Sequence, residues 1–154
     1  MVKVIGMLGD IGSGKTFIAK QFGYPVFNAD NEVSDIYKRN KLCYKKLRKK
    51  LPKYIKTYPI NKIEITKAIL ANKYNLGKII TIVHPLIRKK MNNFLKKNKD
   101  KKLVILDVPL LIENNLNKKK DILIFIDSKK NQINSRLKKR KNYNRKIIEN
   151  FRKL

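Results

Sequence analysis

The stretch Gly9-Asp-Ile-Gly-Ser-Gly-Lys-Thr16 decides the fold, because it matches the pattern G-x-x-x-x-G-K-[ST] at every fixed position. An apolar run, Val2–Leu8, precedes it, and a segment with helical spacing of apolar residues, Thr16–Phe22, follows it. A strand that leads through a glycine-rich turn into a helix is the context that this pattern requires. The sequence therefore predicts a phosphate-binding P-loop.

The residue types of this loop suit the binding of a nucleotide. Glycines let backbone amides turn inward around an anion. The Lys15 ammonium can reach the β- and γ-phosphates, and the Thr16 hydroxyl can ligate Mg²⁺. We therefore expect ATP and Mg²⁺ as ligands and phosphoryl transfer as the reaction. The expected ATP contacts come from Gly9, Ile11, Gly12, Ser13, Gly14, Lys15 and Thr16.

Three more apolar runs further along the chain indicate strands, and helical patterns separate them. The strands are predicted over Pro25–Asn28, Leu103–Asp107 and Asp121–Asp127. Strands that alternate with helices predict an α/β fold, here a P-loop-like parallel sheet flanked by helices. The helical patterns run over about 31–97, 131–141 and 145–154, with breaks near Pro52, Pro59 and Pro85.

The segment between the second and third strands is longer than one crossover helix. We therefore predict a nucleotide-binding core from 1–30 and 101–154, and an inserted helical subdomain over 31–100 that could hold an acceptor substrate. No apolar run approaches the roughly 20 residues that a membrane span needs. Cys43 stands alone, which argues against a disulfide framework. Without a signal sequence, a cytoplasmic location is the default expectation.

The chain is strongly basic, with 39 Lys+Arg against 11 Asp+Glu and a formal charge of +28. Two interpretations are open. Lysines release counterions from a phosphate backbone, which would suit a nucleic-acid partner. Alternatively, Lys, Asn and Ile are abundant throughout the chain, as an AT-rich coding sequence would produce. Because the lysines are spread and not gathered into one arm, we favour the second interpretation and expect no dedicated nucleic-acid partner.

Two carboxylates lie at or just past the ends of predicted strands, and ligands of open α/β sheets bind at the carboxyl ends of the strands. Asp30 lies just past the second strand, where it could accept a proton from an attacking hydroxyl or cap the helix starting at Asn31. Asp107 ends the third strand, where it could hold Mg²⁺ or be an ordinary turn residue. Glu113 could orient a substrate or cap a helix.

Basic residues at helical spacing form two further candidate groups. Pro85 would start a helix, so that His84 and Arg88 would share one side and could grip an anionic group, or be structural. Arg136 and Arg140 lie four residues apart, so they could neutralise the ATP phosphates or form a solvated basic face.

These motifs, in this order and spacing, resemble those of the dephospho-CoA kinase family. The resemblance covers essentially the whole chain and is most specific at His84-Pro-Leu-Ile-Arg88 and Asp107-Val-Pro-Leu-Leu-Ile-Glu113. It implies that ATP phosphorylates the ribose 3′-hydroxyl of dephospho-CoA, giving CoA and ADP in the last step of coenzyme A synthesis.

The resemblance also implies roles for individual residues. Asp30 would be the general base, and the segment 31–100 would bind the CoA substrate, with His84 and Arg88 close to it. The region of about 129–145 would be a mobile lid, in which Arg140 matches the arginine that contacts phosphate.

The chain departs from the family pattern at several positions. Asp10 replaces the second of two glycines that are common at the loop start, and Thr16 stands where Ser is usual. Asn28 stands where an additional Asp is common, which leaves Asp30 as the only carboxylate of that pair. Family members usually continue through another helix and strand, so we expect a truncated form whose sheet lacks its last edge strand.

Two other functions remain in competition. One is a different small-molecule P-loop kinase that acts on a nucleoside or nucleotide, and acceptor profiling would separate it from the family activity. The other is a nucleic-acid-binding P-loop protein that uses the +28 charge. Filter binding over a salt series would test this function, because non-specific binding is lost steeply as salt rises, whereas a dedicated site retains sequence or structure preference.

Overall fold

The structure of the chain is a computed structural model, which describes residues 2–109, 119–139 and 144–152. Within these ranges the strands are β1 (Lys3–Leu8), β2 (Val26–Asn28), β3 (Leu103–Asp107) and β4 (Ile122–Phe125). The helices are α1 (Lys15–Gln21), α2 (Ala29–Arg39), α3 (Lys41–Lys50), α4 (Lys62–Ala71), α5 (Lys73–Lys97), α6 (Lys130–Lys138) and α7 (Arg145–Arg152).

The four strands form one sheet in the order β2-β3-β1-β4, and each neighbouring pair is parallel. Parallel neighbours need crossover connections, and helices provide them here. The α/β fold with a parallel sheet flanked by helices, predicted from the sequence, is confirmed.

Strand β3 lies inside the sheet and is buried along most of its length. Val104, Ile105 and Leu106 have no exposed surface, as expected when both faces of a parallel strand are covered. Ile105 packs with Ile5, Met7 and Ala19 in a core cluster between the sheet and α1. The bounds of β3 are those predicted from its apolar run.

Strand β4 occupies the edge of the described sheet and is shorter than predicted. It covers Ile122–Phe125, whereas the apolar run suggested 121–127. Three of its side chains are exposed, with Phe125 at 67%. The run of apolar residues therefore identified the strand correctly. Unlike the side chains of β3, however, most side chains of β4 are exposed.

Helix α1 begins at Lys15, directly after the glycine-rich loop, and ends at Gln21. Gly23 has a φ of +70°, a left-handed conformation that glycine adopts without strain and that commonly ends helices. The predicted helix and its glycine stop are confirmed, with the bounds shifted by one residue.

The prediction that Pro85 starts a helix is wrong, because it lies inside α5. A proline inside a helix removes one backbone hydrogen bond. The buried side chains of α5 continue at helical spacing on both sides of it, and their burial favours a helix that does not break there. These side chains belong to Leu76, Ile79, Val83, Ile87 and Met91.

The described residues form two compact units, one within 1–30 and 90–143 and the other within 31–89 and 144–154. The first boundary follows Asp30, as in the sequence-based division. Residues 90–100 and 144–154 group differently from the sequence-based division. That division, into a nucleotide-binding core and a substrate-binding subdomain, stays a prediction. In the described part of the chain, no helix has the length and apolar character to cross a membrane.

Candidate active site

The loop between β1 and α1 has a backbone that depends on glycine. Gly9, Gly12 and Gly14 have φ values of +132°, +90° and +101°, in the left-handed region. A Cβ on Gly9 would lie 2.5 Å from the carbonyl oxygen of Ile126, and one on Gly12 would lie 2.9 Å from Cγ of Leu137. The loop is therefore fitted closely against the segment from β4 to α6.

Lys15 folds back over the beginning of this loop. Its ammonium donates hydrogen bonds to the carbonyl oxygens of Gly9 and Asp10, both at 2.8 Å. These bonds hold the ammonium charge at the beginning of the loop.

Asp10, the unexpected residue of the loop, has an exposed side chain. Its Oδ1 accepts a hydrogen bond from the backbone N–H of Ile11 at 2.7 Å. The carboxylate thus engages a backbone group of its own neighbour.

The outer side of the loop is held by Arg136 and Ser128. The Arg136 guanidinium donates to the carbonyl oxygen of Ser13 at 3.0 Å, and the Ser128 hydroxyl donates to the same oxygen at 2.8 Å. A Cβ on Gly14 would lie 3.5 Å from Nη1 of Arg136, which places positive charge beside the loop. Ser128 was not selected from the sequence, although it follows the fourth apolar run directly.

Three side chains meet where β2 and β3 end, and we call Thr16, Asn28 and Asp107 the strand-end cluster. Oδ2 of Asp107 accepts a hydrogen bond from the Thr16 hydroxyl at 2.5 Å and one from the Asn28 amide at 2.6 Å. Asp107 is only 4% exposed. The structure therefore brings two predicted site residues, Thr16 and Asp107, into direct contact.

Asn28 is the member of this cluster that sequence reasoning did not select. It is the last residue of β2 and pairs in register with Asp107 on β3. Its position at a strand end was the available signal, since polar residues at the carboxyl ends of parallel strands line ligand sites.

Asp30 lies two residues beyond Asn28 and is exposed. Helix α2 begins at Ala29, so Asp30 is in its first turn. The alternative that Asp30 caps a helix starting at Asn31 is therefore wrong.

His84 and Arg88 lie one turn apart on α5, in the second compact unit. His84 is half-buried and Arg88 is exposed. Arg140 and Glu113, the two other predicted site residues, lie outside the described residues.

A glycine-rich phosphate loop between the first strand and the first helix of a parallel sheet, bonded to a carboxylate at a neighbouring strand end, defines the class of P-loop phosphoryl-transfer proteins. The chain belongs to the dephospho-CoA kinase family, because the model of that family matches residues 3–153. The resemblance noted in the sequence is thus confirmed.

Individual relatives agree with this family. The chain is 31% identical to a dephospho-CoA kinase of Bartonella quintana over 82% of this chain and 67% of that protein. It is 33% identical to that of Wolbachia pipientis wMel over 80% of this chain and 66% of that protein. The chain is 32% identical to a dephospho-CoA kinase of Fusobacterium nucleatum over 96% of this chain and 78% of that protein. The chain therefore spans about two thirds of the length of the first two relatives.

A solved structure supports the fold independently. The crystal structure of a protein from Thermus thermophilus superposes with a TM-score of 0.77, covering 99% of this chain and 79% of that one. The two sequences are 21% identical, so this likeness concerns the fold alone.

Proposed function

We propose that this chain is a dephospho-CoA kinase that transfers the γ-phosphoryl group of ATP to the ribose 3′-hydroxyl of dephospho-CoA. The products would be CoA and ADP. Family membership over residues 3–153 supports the choice of substrate. The observation that carries the phosphoryl-transfer step is the 2.5 Å bond between Thr16 of the loop and Asp107 of β3.

The proposed ATP site is the loop with its surroundings. Its amides, from Gly9 to Thr16, would surround the phosphates, and the Lys15 ammonium would move from the loop carbonyls to the β- and γ-phosphates. Ser13 fits a polar ligand, because its buried hydroxyl has no hydrogen-bond partner among the described residues. Arg136 and Arg140 would neutralise the charge that develops during transfer.

The proposed Mg²⁺ ligands are Thr16 and Asp107. Hydroxyl and carboxylate oxygens are the hard donors that Mg²⁺ prefers. The Thr16 hydroxyl donates a hydrogen bond to Asp107, so the lone pairs of its oxygen remain for a cation. A bound Mg²⁺ would screen the phosphate charges during transfer.

Asp30 is the proposed general base. As the 3′-oxygen forms its bond to the γ-phosphorus, Asp30 would take the hydroxyl proton, and the bond from that phosphorus to the β–γ bridging oxygen would break. Exposure of Asp30 suits a group that must reach an incoming substrate.

His84, Arg88 and Glu113 are proposed to contact dephospho-CoA. The binding region for this substrate would be 31–100, and the region of about 129–145 would be a lid.

The test is an assay with ATP, Mg²⁺ and dephospho-CoA that follows ADP and CoA together. Asp30→Asn should lower kcat by roughly 10²- to 10⁴-fold, the usual contribution of a general base. Asp100→Asn, which changes an exposed carboxylate, should have no effect. Undiminished turnover in Asp30→Asn would remove Asp30 from the mechanism. Preference for a nucleoside acceptor would favour a different small-molecule kinase.

Two further statements stay predictions. We propose a cytoplasmic location, which microscopy of the tagged chain in its host would check. The absence of a dedicated nucleic-acid partner is open to filter binding over a salt series, where retained structure or sequence preference would contradict it.

A further inference from the structure

The side-chain amide of Asn28 holds the same oxygen of Asp107 that the P-loop hydroxyl holds. The distance from Nδ2 of Asn28 to Oδ2 of Asp107 is 2.6 Å. Asp107 is nearly buried and Asn28 is half-buried, so little water competes for this bond. Bonds to ionised carboxylates in such surroundings are among the stronger hydrogen bonds of proteins.

The sheet, and not a flexible side chain, creates this contact. Asn28 and Asp107 are partners in the register of β2 and β3. Side chains of partners on neighbouring strands lie side by side on the same face. The backbone pairing therefore fixes both residues, and the short Asn and Asp side chains leave few alternative positions.

A donor at position 28 affects which way the Asp107 carboxylate faces. Two donors, from Thr16 and Asn28, converge on Oδ2 and restrict rotation of the carboxylate about its last bond. Without the amide, one hydroxyl bond would hold a group that can turn. An orienting partner of a metal-binding carboxylate typically contributes 10- to 100-fold, in round terms, to metal affinity.

We infer that Asn28 is a positioning residue, which orients Asp107 toward the divalent cation of the bound nucleotide. This inference rests on the Mg²⁺ site of the proposed function. Asn28 would act through Asp107 and would not itself contact substrate. An apolar residue at this position would keep the sheet and lose the orientation.

The experiment measures Mn²⁺ binding to the full chain with ADP, by the electron paramagnetic resonance signal of free Mn²⁺. Asn28→Ala and the space-filling Asn28→Leu should each weaken Mn²⁺ binding by roughly tenfold or more. ADP affinity in EDTA should stay unchanged, because the loop that binds phosphates is intact. A merely structural role would lower ADP affinity and the melting temperature as well.

Asn98→Ala is the matched control. Asn98 is also half-buried and lies in the same compact unit, but its amide donates to the carbonyl oxygen of Phe94 at 2.8 Å. This variant should bind Mn²⁺ as the unaltered chain does.

Several results would overturn the inference. Mn²⁺ affinity within twofold of the unaltered chain in both Asn28 variants would do so. Parallel loss of Mn²⁺ and of metal-free ADP binding would make Asn28 structural, and an unaltered chain without Mn²⁺–ADP binding would remove the metal site itself. Failure of dephospho-CoA turnover is a separate result, because the binding assay needs only nucleotide and Mn²⁺.

Discussion

The strand-end cluster and the His84–Arg88 pair are built in different ways. In the cluster, a loop-helix junction and two strands each supply one side chain, and two donors meet on one oxygen of a nearly buried carboxylate. His84 and Arg88 come from a single helix, and Arg88 is exposed.

The two regions are expected to contribute to different steps of the reaction. Groups held by strand register and by several bonds are fixed before a ligand arrives, which favours interactions that must be exact in the transition state. A long exposed side chain on a helix loses conformational freedom when it binds, so it contributes mainly to holding a substrate. We therefore expect kcat to depend on the first region and KM for dephospho-CoA on the second.

The largest effect expected for this comparison is at Lys15, the P-loop residue that directly precedes Thr16 of the strand-end cluster. Lys15→Met should lower kcat by about 10²- to 10³-fold, because it would remove the cation that is proposed to reach the transferred phosphoryl group. Lys20→Met, on the exposed side of the same helix, should leave kcat unchanged. Steady-state kinetics with dephospho-CoA would check both, and equal kcat in the two variants would break the proposed division.

The second prediction concerns Arg88. Arg88→Ala should raise KM for dephospho-CoA by roughly 10-fold or more, the value of a hydrogen bond to a charged group, while kcat stays near that of the unaltered chain. KM for ATP should not change. Lys89→Ala, at the adjacent exposed position, is the control. A fall in kcat without a change in KM would place Arg88 with the chemistry and contradict the comparison.

The sequence predicted most of the first region, because its signals are local. The P-loop, β3 and the carboxylate at its end follow from motifs and apolar runs that need no partner. The strand-end position of Asn28 was visible in the sequence, but its contact with Asp107 was not, since that contact depends on which residue of β3 stands beside it. Register is a property of two strands and is not visible in either one alone.

In the second region, local signals alone gave a wrong prediction. Helical spacing placed His84 and Arg88 on one side of a helix, but Pro85 was misread as a helix start. The local cost of an internal proline is about 3 kcal/mol. Burial of the apolar side chains before and after it, each contributing roughly 1.5–3 kcal/mol, is sufficient to exceed that cost.

The third prediction compares Gly12, in the P-loop that leads to Thr16, with Gly77, on the helix that carries His84 and Arg88. Gly12→Ala should destabilise the chain by about 1–3 kcal/mol, because its φ of +90° is strained for alanine and its Cβ would press on Leu137. Gly77→Ala, inside α5 with open space around it, should stabilise by about 0.5–1 kcal/mol. Urea unfolding would measure both.

The signs of these two changes are the important result. Equal effects would mean that the loop backbone is no more constrained than an exposed helix. ADP binding adds a second measurement, since only Gly12→Ala should weaken it.

The last prediction concerns Cys43, which is fully buried on α3. Burial raises the pKa of the Cys43 thiol from 9.0 to about 11, and Lys46 opposes part of the rise. The buried carboxylate of Asp107, by contrast, accepts hydrogen bonds from two donors. Because the folded state disfavours the thiolate, the stability that the thiol contributes should be complete below about pH 9 and decline toward pH 11. The difference in unfolding free energy between the unaltered chain and Cys43→Ala should therefore shrink over this range, since all other titrating groups are common to both. A difference that stays constant with pH would show that the thiol ionises as easily in the folded chain as in the unfolded one.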